Sequence, residues 1–251
     1  MSEYNNCAVV YVAGGRDYAH DAEQSRDTIR LHMPDVRCIM ATDDAAGDDG
    51  RWDGIHLLPT RVPQTMWYLD SCRWYGRVLG LLANNYRKLI FLDTDTLCCG
   101  PMYGIFDLLD KFDVVGTHGA ARHTTRTAAP VPEAFPELEI GMLGVRTSDK
   151  VGRLFSLWQS LYEGHPEVYG NNDQGPFREA LWLDEEIRLY VATPEYHCRA
   201  GFGAWVAGIV RLVHSRARLA EMAGEINETG GMRLYRPGGI VWKAGHGEWR
   251  R

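Results

Sequence analysis

The chain predicts an α/β fold, a single domain with a mostly parallel central sheet covered by helices on both faces. Three observations carry this. Strand-like and helix-like stretches alternate through the first half of the 251 residues. The strand-like stretches are continuous apolar runs, as in sheets buried on both faces, rather than alternating ones. Glycines or acidic residues stand at the ends of these runs, where ligands sit in such sheets.

Each element follows from its pattern. "CAVVYVAGG" (Cys7–Gly15) is a buried strand closed by glycines, and "DYAHDAEQSRDTIRLHM" a helix stopped by Pro34. "VRCIMATDD" and "IHLLPT" are the next strands, and Leu69–Asn85 is a helix with Cys72, Val78, Leu79 and Leu82 on its apolar side. "KLIFLDTDT" from Lys88 is a buried strand that runs into two carboxylates. Arg122–Pro136 lacks periodicity and reads as a long loop. "IGMLGVRT" is a strand, "VGRLFSLWQSLYEG" an amphipathic helix, and "NNDQGPFREALW" opens another helix. "GIVRLVHSR" is a strand ending in His214, and "RLAEMAGEINETGG" a last helix closed by Gly230 and Gly231. No repeat or linker divides the chain, so residues 1–251 are expected to form one domain, with 1–117 and 118–251 as its two halves.

Composition bounds the function classes. Hydrophobic residues make up 45% and charged residues 24%, ordinary for a globular protein, and the net charge of −6 argues against a broad duplex nucleic-acid surface. The start "MSEYNNCAVV" has no basic stretch leading into a long apolar one, and "FGAWVAGIVRLV" is too short to span a bilayer. No transmembrane segment is expected. The six cysteines show no CxxC pair or zinc spacing, which fits free thiols in a reduced, cytoplasmic setting. Cys98 and Cys99 read as packing residues.

Asp93 and Asp95 focus the chemistry. Residues i and i+2 of an extended segment share a face, so both carboxylates aim at one point and repel unless a cation joins them. Mg2+ or Mn2+ suits such a pair, and Mn2+ also accepts an imidazole, which makes His214 a candidate third ligand. Thr94, between them, points the other way in an extended segment and reads as structural.

"LDTDT", "FPELEIGMLGVR", "NNDQGPFREALW", "PEYHCR" and "VRLVHSR", in this order, resemble the nucleotide-diphospho-sugar transferases of GT-A fold, in particular the bacterial glycosyltransferases related to glycogenin and the lipopolysaccharide galactosyltransferases. The resemblance covers nearly the whole chain, and it implies a nucleotide-binding half at 1–117 and a half for acceptor and donor sugar at 118–251. It implies a metal-dependent glycosyltransferase that moves a sugar, expected to be a hexose, from a UDP-sugar to a hydroxyl acceptor with retention. It implies Mn2+ (or Mg2+) on Asp93, Asp95 and His214. Donor contacts would come from Ala13, Gly14, Asp17, Tyr18, Arg77, the Asp93–Thr94–Asp95 segment, Ser215 and Arg216. Asp173 and Gln174 match the pair beside the reactive sugar carbon, and Glu139 stands where the family often has asparagine. Glu139 is a candidate base or nucleophile, a determinant of donor choice, or a mere ion-pair partner. Ser215 and His197 also depart from the commoner glycine and asparagine.

The acceptor is left open: glycan, protein, nucleic acid or small molecule. Arg122–Pro136 and Arg233–Arg251 are expected to frame it, with Arg122, His123, Arg126, Arg233 and His246 able to meet an anionic one. Trp205 and Trp249 are available for sugar stacking. Two other function classes compete. One is a sugar-nucleotide binder or a nucleotidyltransferase, for which "AGGRDY" is a weak echo of the glycine-rich stretch. The other is a DxD phosphatase, which wants a threonine where Leu97 stands.

Overall fold

The structure is a computed structural model that describes residues 3–44, 50–59, 67–119, 126–216 and 218–243. β1 (Cys7–Ala13) leads through a turn at Gly15 into α1 (Arg16–His32). Gly15 has φ 89°, a backbone conformation that side-chain-bearing residues rarely adopt, and its amide donates to Asp43 Oδ1 at 2.7 Å. β2 (Arg37–Thr42), β3 (Gly54–Leu57), α2 (Trp67–Leu82) and β4 (Lys88–Leu92) follow, close to their predicted positions. The expected strand through Asp95 is broken. β4 stops at Leu92, Asp93–Asp95 forms a bend, and β5 (Thr96–Cys98) resumes.

Next come α3 (Tyr103–Leu108), β6 (Val114–His118) and β7 (Leu138–Arg146). α4 (Asp149–Gly164) is capped by Ser148, whose Oγ accepts from Val151 N, and buries Val151, Leu154, Phe155, Trp158 and Tyr162 on one stripe. Each such apolar side chain contributes about 1.5–3 kcal/mol on burial. A short α5 (Pro166–Tyr169), α6 (Gln174–Leu183), β8 (Leu189–Ala192), β9 (Cys198–Arg199), β10 (Ala204–Val206) and β11 (Leu212–His214) lead to α7 (Leu219–Ile226), β12 (Arg233–Arg236) and β13 (Gly239–Lys243). β11 is shorter than predicted, and α7 ends at Asn227 rather than at the glycines, because the Asn227 amide bonds both N and O of Val210.

A seven-stranded sheet, in the order β3-β2-β1-β4-β7-β6-β8, is the centre of the fold. All its neighbouring pairs are parallel except those of β7, which runs against both β4 and β6. One face packs on α2, α4 and α6 through Tyr75, Phe91, Phe155, Trp158 and Phe177. The other packs on α1 and α3 through Val9, Tyr11, Ile29, Ile90 and Phe106. β6 straddles residues 117 and 118, so both halves of the chain contribute to the one sheet. Among the described residues no helix is long and apolar enough to cross a membrane.

Two small sheets sit beyond the main one. β11 lies between β5 and β9, and β10 pairs with the β12–β13 hairpin. The first of these positions the site. It sets His214 opposite Thr96, just past the Asp93–Asp95 bend, and Ser215 N then donates to Asp95 O at 3.1 Å.

Candidate active site

The bend that carries the two aspartates is held from several sides. Thr96 Oγ1 donates to Asp93 O at 2.8 Å, Ser25 bonds Thr96 at 2.8 Å, and Asp93 N donates to Gly141 O at 2.9 Å. The carboxylates converge because this bend turns them together, not because they alternate along a strand. His214 Nε2 lies 3.1 Å from Asp95 Oδ1 and 3.6 Å from Asp93 Oδ2. The ligand-capable atoms of the three residues all lie within 4.8 Å of one another. The imidazole is 1% exposed while the carboxylates are 40% and 23% exposed, so the cluster opens to solvent on its acidic side.

The cluster fits a divalent cation. Two carboxylates and an imidazole suit Mn2+. Gly141 leaves room for them, since a Cβ there would lie 2.6 Å from two atoms of the His214 ring and 2.9 Å from Asp93 Oδ2. Removal from water pushes Asp93 above its ordinary pKa, with Asp95 and Glu139 adding to the rise and His214 opposing it. Desolvation also pushes Asp95 upward, but its hydrogen bond to His214 and the charge there outweigh it, and its pKa is lowered.

One cavity of ≈ 210 Å³ opens on the cluster, with Tyr18, Thr94, Glu139, Asp173, Gln174 and Arg216 in its wall. Predicted residues from five parts of the chain thus meet. Thr94 is buried and is among the residues that line the cavity. Other predicted donor contacts flank residues of the wall in sequence: Ala13, Gly14 and Asp17 lie between Val12 and Tyr18, and Ser215 between His214 and Arg216. Ala13 and Gly14 are buried, Asp17 and Arg77 are exposed, and none of these, nor Ser215, is in the cavity wall.

Glu139 is occupied. Its Oε1 accepts from Arg199 Nη1 at 2.5 Å and from Gln174 Nε2 at 2.9 Å. The ion-pair reading is therefore the observed one. Asp173 is not the side-chain cap of α6, because Asn172 Oδ1 accepts from the amides of Gln174 and Gly175. Trp158 Nε1 donates to Asp173 O at 2.9 Å and fixes its backbone. α6 also grips the loop before β7: Glu179 accepts from the amides of Ala128 and Ala129, and Arg178 donates to the carbonyls of Pro132 and Phe135.

A second cavity of ≈ 180 Å³ shares Glu139 and Arg199 with the first and continues to His118, Pro194, His197 and Trp205. Trp205 stacks on Trp242 with centroids 4.9 Å apart. Arg126 is exposed, but Arg233 is fully buried and donates to the carbonyls of Ile226, Gly208 and Gly231. Its expected place in an acceptor frame is corrected to a structural one. Arg122, His123, His246 and Trp249 lie outside the described residues. The cysteines are free, and burial pushes the Cys98 and Cys99 thiols up to about 12 and about 11, in keeping with packing.

Sequence reasoning missed Gly141, Asn172, Thr96 and Arg199. All four lie within the quoted motifs, which is the signal that could have found them. No family model and no curated protein matches the chain.

Proposed function

We propose that this protein is a metal-dependent glycosyltransferase of GT-A type, which transfers a hexose from UDP to a hydroxyl acceptor with retention. The observation that carries the reading is the cavity at the C-terminal end of β4. It joins an acidic cluster fit for Mn2+ to Arg216 on one side and to Asp173 and Gln174 on the other. A bound cation supplies Lewis-acid stabilisation of a departing diphosphate.

The chain's own residues do the rest. Arg216 offers a guanidinium to the diphosphate, which it can bond in bidentate fashion. Tyr18, 42% exposed in the cavity wall, offers a ring for the base. Asp173 and Gln174 face the sugar. Asp173, in the cavity wall at the start of α6, is the carboxylate for the developing positive charge. Tied to Arg199, Glu139 serves to hold Gln174 in place rather than to attack.

The test is incubation of the protein with UDP-glucose and UDP-galactose in Mn2+ while UDP release is followed. Slow release that EDTA abolishes and Asp173→Asn sharply reduces supports transfer. Thermal stabilisation by the nucleotide without release would instead identify a binder, and phosphate release from a phosphomonoester a phosphatase.

A further inference from the structure

We propose that Thr117 and His197 form a buried hydrogen-bonded relay that positions His214 for the cation. The inference rests on reading Asp93, Asp95 and His214 as a cation site, and not on glycosyl transfer.

The distances define the relay. His214 Nδ1 is 2.9 Å from His197 Nε2, and His197 Nδ1 is 3.2 Å from Thr117 Oγ1. His214 is 1%, His197 3% and Thr117 1% exposed, so the three are satisfied chiefly by one another. Hydrogen-bond parity then fixes every proton. As a ligand His214 presents a lone pair at Nε2, the nitrogen facing both carboxylates, and so carries its proton on Nδ1. Two protonated nitrogens cannot face each other at 2.9 Å, so His197 Nε2 accepts. The His197 proton is then on Nδ1, and Thr117 Oγ1 accepts it.

The relay ties a ligand on a small outer sheet to the rigid centre of the fold. Thr117 lies in β6, in register with Glu139 of β7 and Ala192 of β8. His197 adjoins β9, which pairs with β11 beside His214. The relay thus sets both the ring orientation and the tautomer of His214, as partners behind a ligating histidine do. His197 and Thr117 are positioning residues that act through His214. A histidine that merely filled space would need only its volume, which is what the test separates.

The test is titration of Mn2+, read by loss of the free-ion electron paramagnetic resonance signal, for wild type, His197→Phe, His197→Gln and Thr117→Val. Phenylalanine keeps ring volume but leaves the His214 N–H without an acceptor, and the affinity should fall roughly 10–100-fold. Glutamine restores an acceptor toward His214 and a donor toward Thr117, and should recover most of the loss. Thr117→Val, at the far end, should lose a few-fold. In wild type, 15N-histidine spectra of the Mg2+-saturated protein should show His197 protonated on Nδ1, a readout that needs no variant to fold. Mn2+ affinity unchanged in His197→Phe, or His197 protonated on Nε2 in the loaded protein, overturns the relay. Wild type that takes up no Mn2+ overturns the cation site and the relay together. Uptake through the relay without UDP release leaves the relay standing and removes only the transfer reading.

Discussion

Two carboxylate clusters in this molecule are built in opposite ways. Asp113, just before β6, is surrounded by cations: Arg188 Nε at 3.3 Å, Lys150 Nζ at 3.5 Å and Arg146 Nη1 at 3.8 Å, with the Arg188 amide donating at 3.0 Å. Desolvation acts against its charge, but these partners outweigh it and hold its pKa below the ordinary value. Asp93 and Asp95 have His214 within ion-pair distance, and Asp93 is pushed upward. The first cluster is complete within the protein and serves stability. The second has more negative charge than its imidazole can balance, and supplies what a cation needs.

The largest effect that separates the two is expected from Asp95→Ala. Loss of a ligand should reduce Mn2+-dependent UDP release on the order of 10³-fold, since a bound cation contributes several kcal/mol, while Tm falls less than in Asp113→Ala, because the buried His214 loses one of its two carboxylate neighbours. Asp113→Ala should do the converse. Its cations are 31–54% exposed and can turn to water, so the loss should be about 1–2 kcal/mol in denaturant unfolding, and turnover of the remaining folded protein should be unchanged. Equal effects of both variants on stability would erase the distinction.

Gly141→Ala is smaller and local. Its new Cβ meets the His214 ring and Asp93, so Mn2+ affinity should fall roughly 10–100-fold, and overpacking should cost about 1–3 kcal/mol. The smallest effects concern pH, and they have opposite signs. Asp113, with a lowered folded pKa, contributes stability above its unfolded value of about 3.9 and loses it as pH falls through the folded one. Asp113→Asn should therefore lower Tm at pH 7 and approach wild type below about pH 4. Asp93, with a raised folded pKa, costs stability as pH rises through the window above about 3.9. In EDTA, Asp93→Asn should raise Tm slightly at neutral pH, and the gain should vanish toward pH 4.

Much of the fold was legible because the apolar runs of β1, β2 and β4 are buried on both faces and the stripe of α4 has a helical period. β6, β8, β9, β10, β12 and β13 were not foreseen, nor were α3 and α5. β6 is buried, but its apolar run is only two residues long before Gly116; the other strands are short and mostly half exposed, so neither run length nor alternation marks them. In the site, Asp93, Asp95 and His214 were legible as residue types at strand ends. The bend, the close approach at Gly141 and the capture of Glu139 by Arg199 were not, because each depends on a partner far away in sequence. Arg233 shows the reverse error: an arginine in a polar C-terminal stretch reads as surface, yet three backbone carbonyls hold it inside.

The central claim is that the cation held by Asp93, Asp95 and His214 is what receives the nucleotide diphosphate. Calorimetric titration of UDP into wild type and Asp95→Ala, each with Mn2+ and with EDTA, tests it most directly. Wild type should bind UDP in Mn2+, and binding should be lost in EDTA and in Asp95→Ala. Equal UDP affinity in all four titrations would contradict it.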